Sequence, residues 1–263
     1  MKTSFKNSFV HCIDKLDIMK KLLLLLLLIP MVLLGQLKFL PSSNGEVVEH
    51  TYYSLSYVEE HEQAEWVHYK LDSIRASLNK TNRGRLKTDR NYYQDKTFES
   101  KSAHKSDIKF KADGYHKGHL VPAADMKMDS ISVREAAYMS NISPQKPKFN
   151  NGVWSRLEKR IRLRAKKSEL YITTGGVLSP ADLKKIGKNN VSVPDQFYKI
   201  IYDVKNQKMF AYLMPNKKIE SREKYVVTVD AIEALTGIDF YHQLDDELED
   251  KLESAKNSLP PKF

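Results

Sequence analysis

Alternating apolar and polar residues predict strands in the first half of the chain. In residues 64–71, Val67, Tyr69 and Leu71 alternate with His68 and Lys70, which predicts a strand. Residues 47–57 are rich in β-branched and aromatic side chains and predict a preceding strand. The polar and charged residues 96–111 predict a loop.

Longer apolar runs bounded by turn residues predict the later strands, and amphipathic stretches predict the helices. The predicted strands are residues 170–178, 197–203 and 209–215, of which the last two form a hairpin. The predicted helices are residues 133–138, 152–165 and 244–254. Residues 226–240 change from strand to helix, with Asp230 as the candidate N-cap and Gly237 as the stop.

A basic start and a short apolar run in residues 19–36 are typical of a secretory signal. The run is too short for a comfortable membrane span. We therefore expect cleavage near Gly35, an upstream extension before Met19, and a secreted or periplasmic bacterial protein without a stable membrane partner. The alternative is an uncleaved segment that anchors the domain at a membrane.

The whole chain divides into four predicted parts. These are a signal peptide with its extension at residues 1–35, a linker at 36–50, one domain at 51–258, and a tail at 259–263. The only cysteine, Cys12, lies in the first part, so the domain has no internal disulfide and depends on its core for stability.

The charge of the chain favours an acidic partner. The 263 residues carry a net charge of +10, and because residues 1–35 contain five Lys and two Asp, the remainder keeps +7. Nucleic acid ranks ahead of a membrane surface, although charge alone does not name a ligand.

The residues best suited to chemistry lie between Tyr115 and Glu158. A His that follows a Gly on a short strand, His119, can bring a neutral imidazole close to a phosphate and act as a general base. Asn150 and Glu158 are eight residues apart, so in a helix they share one face. The Asn150 amide oxygen can bind a hard cation such as Mg²⁺, and Glu158 can steady a metal-bound water.

A second interpretation of the histidines is a zinc site. His116 and His119 have H-x-x-H spacing, which would suit a secreted zinc hydrolase. A Gly between them, with no nearby Cys and no third ligand pattern, weakens this interpretation.

Four ordered motifs resemble the DNA/RNA non-specific endonuclease family, whose members are sugar-non-specific nucleases with a ββα-metal fold. The motifs are HKGH at 116–119, PAADM at 122–126, SNISPQ at 140–145 and FNNGVWSRLE at 149–158. The family's first motif usually reads Asp-Arg-Gly-His, so Gly118 and His119 match, Lys117 is conservative and His116 departs. The resemblance extends over about residues 64–252.

The resemblance implies an α+β fold with a central, mainly antiparallel sheet, helices on both of its faces, and a ββα-metal finger. It also implies metal-dependent cleavage of DNA and RNA. His119 would be the general base, Asn150 would bind Mg²⁺ (or Mn²⁺), and Glu158 would orient a metal-bound water. A homodimer is compatible with the family.

The resemblance assigns further residues to the substrate. Arg90, five residues before Asp95, matches the segment that delivers an Arg to the scissile phosphate, and Lys117 would also offset phosphate charge. Arg85 and Lys87 compete with Arg90 for this role, and the whole segment could instead be a solvated basic loop. Asn141 would support the site. Arg156 begins a basic row on the helix at 152–165 that could follow a nucleic-acid backbone, or simply face solvent.

An alternative function follows from His116, which stands where the family usually has Asp. The family's Asp would orient its basic neighbour, which a neutral His does only weakly. If the exchange breaks the site, the chain is a polyanion-binding module without catalysis.

Overall fold

In the computed structural model, which describes residues 38–81, 86–98 and 102–260, a seven-stranded antiparallel sheet has the order β1-β2-β3-β6-β9-β10-β11. Two further pairs, β4-β5 and β7-β8, lie outside it. The strands are β1 Glu46–Glu49, β2 Ser54–Val58, β3 Gln63–Leu71, β4 His116–His119, β5 Ile142–Gln145, β6 Leu170–Gly176, β7 Lys185–Ile186, β8 Val191–Ser192, β9 Gln196–Asp203, β10 Lys208–Pro215 and β11 Val226–Val227.

Six α-helices occur within the described ranges. They are α1 Ser73–Thr81, α2 Phe110–Asp113, α3 Ser130–Ala136, α4 Ser155–Ala165, α5 Val229–Thr236 and α6 Asp246–Glu253. A π-helical turn, Phe149–Trp154, leads directly into α4.

The central strand β9 shows how the sheet separates two hydrophobic cores. Phe197 and Ile201 belong to the core that also contains Leu157 of α4. Tyr198 and Ile200 belong to the core on the other face, beneath α5 and α6. Because successive side chains of a strand point to opposite faces, this alternation follows directly from the sequence of β9. The predicted α+β fold, with helices on both faces of an antiparallel sheet, is confirmed.

Several element boundaries differ from the prediction. Residues 47–57 form a hairpin of β1 and β2 rather than one strand, because the turn at residues 50–53 interrupts the pairing. The predicted linker therefore contains a strand of the sheet, and within it Phe39 is buried against Tyr171. The helix predicted at 152–165 begins at Ser155, since Gly152 has non-helical backbone angles.

The helical prediction near the C-terminus needs one correction. The N-cap of α5 is Thr228, whose hydroxyl accepts a hydrogen bond from the Ala231 backbone N–H, and not Asp230. Gly237 ends α5 as predicted, in the left-handed conformation with φ 70°. Within the described residues, no helix is long and apolar enough to cross a membrane. The predicted signal peptide lies outside the described residues.

Candidate active site

The candidate site is built on a strand-strand-helix unit. His119 ends β4 and pairs with Ile142 of β5, and the chain then passes through the π-helical turn into α4. The first strand thus presents His119 towards the start of the helix, where Asn150 lies. This is the predicted ββα arrangement.

Asn141 fixes the chain where it leaves β4. Its amide oxygen accepts a hydrogen bond from Val121 N at 2.8 Å, and its amide nitrogen donates to Ala136 O at 2.9 Å and Val121 O at 3.2 Å. The side chain is fully buried. The polar atoms of Asn141 are used inside the protein, where they support the loop after β4, and its role in substrate binding stays a prediction.

Gly118 allows a close approach behind His119. A Cβ atom at this position would lie 2.2 Å from Oε1 and 2.3 Å from Cδ of Gln145. Gln145 is fully buried and has little room to move aside. The Gly of the Gly-His pair is thus required by side-chain packing rather than by an unusual backbone angle.

A polar cleft of about 380 Å³ brings three predicted residues together, namely His119, Asn150 and Glu158. One wall is the apolar segment Pro122, Ala123 and Ala124, and the helix side adds Ser155, Lys159 and Arg162. Asn150 reaches the cleft from the π-helical turn, and Glu158 reaches it from the first turn of α4.

His119 is held in its neutral form. Its Nε2 atom is buried and, among the described residues, has no hydrogen-bond partner. Burial lowers the pKa of His119 to about 4, since a charged imidazolium would lose its hydration there. The ring of Tyr92 lies 5.9 Å from the imidazole, centroid to centroid. At neutral pH, His119 therefore has a lone pair available to accept a proton.

Two opposing effects act on the pKa of Glu158. Burial raises the pKa of Glu158 to about 7, whereas the positive charges of Lys199 and Arg162 hold it lower than burial alone would. Lys199 comes from β9 beneath the cleft and is fully buried. Burial in turn lowers the pKa of Lys199 to about 8, and Glu158 opposes that shift.

A buried ion pair supports the floor of the cleft. Arg162 donates from Nη1 to Asp125 Oδ1 at 2.6 Å, and the Tyr69 hydroxyl donates to the other Asp125 oxygen at 3.1 Å. Arg162 is 9% exposed and Asp125 is 1% exposed, so solvent screens this pair weakly. The pair ties the loop after β4 to α4.

The sequence also matches a known family over most of its length. The profile of the DNA/RNA non-specific endonuclease family matches residues 34–247. The chain belongs to this family. It is 32% identical over 223 residues to "Nuclease EXOG, mitochondrial" of Danio rerio, a match that covers 78% of this chain and 63% of that protein. It is 35% identical over 153 residues to "Endonuclease G, mitochondrial" of Caenorhabditis elegans, covering 52% of this chain and 50% of that protein.

A solved structure extends the likeness to the fold. A chain in the crystal structure of an EndoG/EndoGI complex matches with a TM-score of 0.66 and 25% sequence identity, covering 78% of this chain and 89% of that chain. The chain spans between half and slightly less than two thirds of the lengths of the two curated relatives named above.

The cleft fits the metal-dependent chemistry of this family. Asn150 offers an amide oxygen and Glu158 a carboxylate, and hard oxygen donors are the ligands that Mg²⁺ prefers. The cleft has room for an ion that keeps several waters. Among the described residues that line it, His119 is the one imidazole and there is no thiol, so oxygen donors predominate.

The two-histidine zinc interpretation is wrong. His116 and His119 are three positions apart on β4, so their side chains point to opposite faces of the strand. His116 packs edge-on against Phe110, with ring centroids 5.1 Å apart. The residue that departs from the family's first motif therefore does not face the cleft.

The segment that carries Arg90 lies beside His119. Backbone hydrogen bonds from Tyr93 N to Ala137 O (3.0 Å) and from Met139 N to Tyr93 O (2.8 Å) attach it next to β5. Asp95 is buried and accepts a hydrogen bond from the Ser140 hydroxyl at 2.6 Å. The Arg90 side chain is exposed, which leaves it accessible from solvent.

Lys117 and Arg156 lie outside the lining of the cleft. Lys117 shares the His119 face of β4 and donates from Nζ to the carbonyl of Ile108, while its ammonium lies 5.6 Å from the centroid of the Tyr92 ring. Arg156 is exposed on α4 and donates to Glu220 O at 3.3 Å. Neither side chain lines the cleft with His119, although both are cationic groups of the same finger.

Sequence reasoning missed two residues of the site. Arg162 lies four residues after Glu158, which puts both on one helix face. Lys199 interrupts the apolar run of residues 197–202 in β9, between Tyr198 and Ile200. A charged residue inside such a run predicts a buried ionisable group, and this pattern is visible in the sequence.

Proposed function

We propose that the chain is a metal-dependent nuclease that hydrolyses phosphodiester bonds of DNA and RNA without sequence preference. The observation that carries this proposal is the partly buried, neutral His119, which lines one polar cleft together with the oxygen donors of Asn150 and Glu158. Membership in the DNA/RNA non-specific endonuclease family supports it.

The protein's own groups account for the proton transfer. His119 accepts a proton from a water molecule through Nδ1, because Nε2 is buried, and the oxygen of that water forms a new bond to phosphorus. The bond from phosphorus to the 3′ oxygen breaks on the opposite side. Its electron pair leaves with the 3′ oxygen, which takes up a proton from solvent, and the imidazolium returns its own proton to solvent. Burial disfavours the charged imidazole, which speeds that return.

Asn150 would hold the metal ion, with Glu158 orienting water beside it. When bound, Mg²⁺ supplies Lewis-acid stabilisation of negative charge on the phosphate and on the leaving oxygen. Glu158 acts through hydrogen bonds in its ionised form, and Lys199 and Arg162 favour that form. Arg90 extends from the neighbouring segment to bind the phosphate, and Lys117 and Arg156 add positive charge along the nucleic-acid path.

The test uses the purified protein with supercoiled plasmid and with RNA, in Mg²⁺, in Mn²⁺ and in chelator. We expect metal-dependent loss of both substrates. His119→Ala should lower the rate about 10²–10⁴-fold while leaving binding largely intact, as expected for removal of a general base. The exposed, remote Lys208→Ala is the matched control and should cleave like the parent chain. An active His119→Ala protein would overturn the mechanism.

A polyanion-binding module without catalysis is the second candidate, motivated by His116 and by the basic row on α4. It predicts binding of DNA with no cleavage in any divalent metal. His116→Asp, which introduces the residue usual in the family, would then restore cleavage. Because His116 faces away from the cleft, we expect the parent chain and this variant to differ little in rate.

We also propose that the protein is exported, on the basis of the basic start and apolar run in residues 19–36. Cell fractionation with mass determination of the mature N-terminus would test this. A new N-terminus near Gln36 in the secreted or periplasmic fraction is the expected result, and an intact N-terminus in the membrane fraction would support the anchored alternative. A homodimer stays a prediction that size-exclusion chromatography with light scattering would test.

A further inference from the structure

Three carboxylates converge on the face of the sheet opposite the cleft. Asp230 and Glu233 come from α5 and Glu253 comes from the end of α6. One oxygen of each lies within 4.8 Å of the others. These helices pack on the core of Tyr198 and Ile200, whereas the cleft helix α4 packs on the other core.

Glu253 is the informative member of this cluster. The residue is only 5% exposed, and among the described residues its Oε1 atom has no hydrogen-bond partner. A buried carboxylate oxygen ordinarily has a partner, because leaving it unpaired costs free energy. The unpaired oxygen thus points to a group that the protein chain itself does not supply.

The surroundings of Glu253 favour a positively charged ligand. Burial raises the pKa of Glu253 to about 9, and the carboxylates of Glu233, Glu249 and Asp230 raise it further. Glu233 uses one oxygen to accept a hydrogen bond from Phe240 N at 2.8 Å, which fixes its direction and leaves the other oxygen available. Asp230 is exposed and leaves a side of the cluster open to water.

We propose that Asp230, Glu233 and Glu253 form a second cation site, distinct from the cleft, that binds Ca²⁺. The donors are all carboxylate oxygens, with no imidazole or thiol in the cluster, and hard cations prefer such donors. Ca²⁺ fits better than Mg²⁺, because it accepts irregular sets of six to eight oxygens and completes them with water.

The bound ion would join the last helix of the domain to α5. Asp245, the N-cap residue of α6, makes no side-chain capping bond, and the first turn of the helix carries three acidic residues. The Ca²⁺ ion would link the other end of this helix, where Glu253 lies, to α5. The site therefore stabilises the packing of α6 on the sheet and takes no part in the cleft chemistry.

The experiment titrates CaCl₂ into the purified protein by calorimetry, and follows the melting temperature in parallel. Asn150→Ala is included to separate binding in the cleft from binding at this cluster. We expect Ca²⁺ at about 100 times its Kd to raise Tm by about 5–10 °C in both the parent chain and Asn150→Ala.

Matched variants decide between a metal site and a neutral carboxyl group. Glu253→Gln and Asp230→Asn should each weaken Ca²⁺ binding about 10-fold or more, because ligand charge sets the affinity. Glu247→Gln removes the same charge from the exposed side of α6 and should bind like the parent chain. Asp230→Asn changes an exposed residue, so it keeps the test informative if Glu253→Gln fails to fold.

Two results would overturn the site. One is the absence of any Ca²⁺-dependent heat or Tm increase in Asn150→Ala. The other is an equal response of the parent chain and Asp230→Asn. A Glu253→Gln protein that is more stable than the parent, when neither responds to Ca²⁺, would mean that Glu253 is simply a protonated carboxylic acid.

Discussion

Lys199 in the middle of the sheet acts through its charge on Glu158 of the cleft helix, and among the described residues the two side chains form no ion pair or hydrogen bond with each other. The Lys199 ammonium is fully buried, lies 4.7 Å from the centroid of the Trp154 ring, and lowers the pKa of Glu158. Among the described residues, its nitrogen has no hydrogen-bond partner. The main effect of Lys199 on the site is thus electrostatic.

Replacing Lys199 should move the pH profile of cleavage. In Lys199→Met the pKa of Glu158 loses an influence that lowers it, so the carboxylate becomes protonated at a higher pH. We expect the acidic limb of the rate profile to shift upward by about one pH unit or more. The measurement is kcat/KM against pH with a short DNA duplex. Lys208→Met changes an exposed residue on the next strand and should not shift the pH profile. An unshifted profile in Lys199→Met would mean that Lys199 does not lower the pKa of Glu158.

Burial of His119 should make stability depend on pH. The folded-state pKa of about 4 lies below the unfolded value near 6.5, so between these values the unfolded chain binds more protons. The contribution of neutral His119 to the unfolding free energy is fully present above pH 6.5 and is lost as pH falls towards 4. At pH 4.5 it should cost the parent chain about 2 kcal/mol of unfolding free energy relative to His119→Gln.

Urea unfolding at pH 7 and pH 4.5, for both proteins, measures this difference. Other groups titrate over the same range, but they do so in both chains and cancel in the comparison. Equal pH dependence in the parent chain and His119→Gln would mean that the imidazole is not held in its neutral form.

Gly118→Ala should disturb the strand behind His119. The new methyl group overlaps the side chain of Gln145, which is buried and cannot move aside freely. We expect a loss of about 1–3 kcal/mol in unfolding free energy, measured by urea denaturation. Shortening Gln145 to Ala in the same chain should recover part of the loss. A double variant whose two effects simply add would show that the clash is not the cause.

Breaking the buried Asp125–Arg162 pair should lower the unfolding free energy far more than breaking a more exposed pair with the same 2.6 Å N···O distance. Asp125→Asn leaves the Arg162 guanidinium buried without its counter-charge and should cost about 3 kcal/mol or more. Glu169→Gln removes one partner from the Lys70–Glu169 pair, also 2.6 Å long, whose side chains are 28% and 40% exposed. That change should cost less than about 1 kcal/mol. Similar losses of unfolding free energy in the two variants would mean that solvent screens the two ion pairs equally.

The sequence predicted those parts of the fold that depend on local periodicity. The alternation in residues 64–71 corresponds to β3, and the hairpin of residues 197–203 and 209–215 corresponds to β9 and β10. The stop at Gly237 was also predictable, because few other residues tolerate the left-handed conformation. Boundaries that depend on tertiary contacts were not predictable, such as the turn that separates β1 from β2.

The same distinction applies to the site. Ordered motifs predicted that His119, Asn150 and Glu158 would come together, and the structure puts all three on one cleft. The motifs did not predict that the Asn141 amide bonds to Val121 and Ala136, because a motif records which residue is present and not its hydrogen-bond partners. Lys199 lies 41 residues after Glu158 in the sequence, and only folding brings its charge near that carboxylate.

The opposite orientations of His116 and His119 make position 116 a place to attach a reporter. His116 is partly exposed and its neighbour in space is the aromatic ring of Phe110, away from the cleft. The sequence contains a single cysteine, Cys12, within the predicted signal region. A chain that lacks that region and carries His116→Cys would thus have one thiol. A fluorophore on that thiol could follow, in real time, the arrival of nucleic acid at the finger without occupying the space where the phosphate reacts.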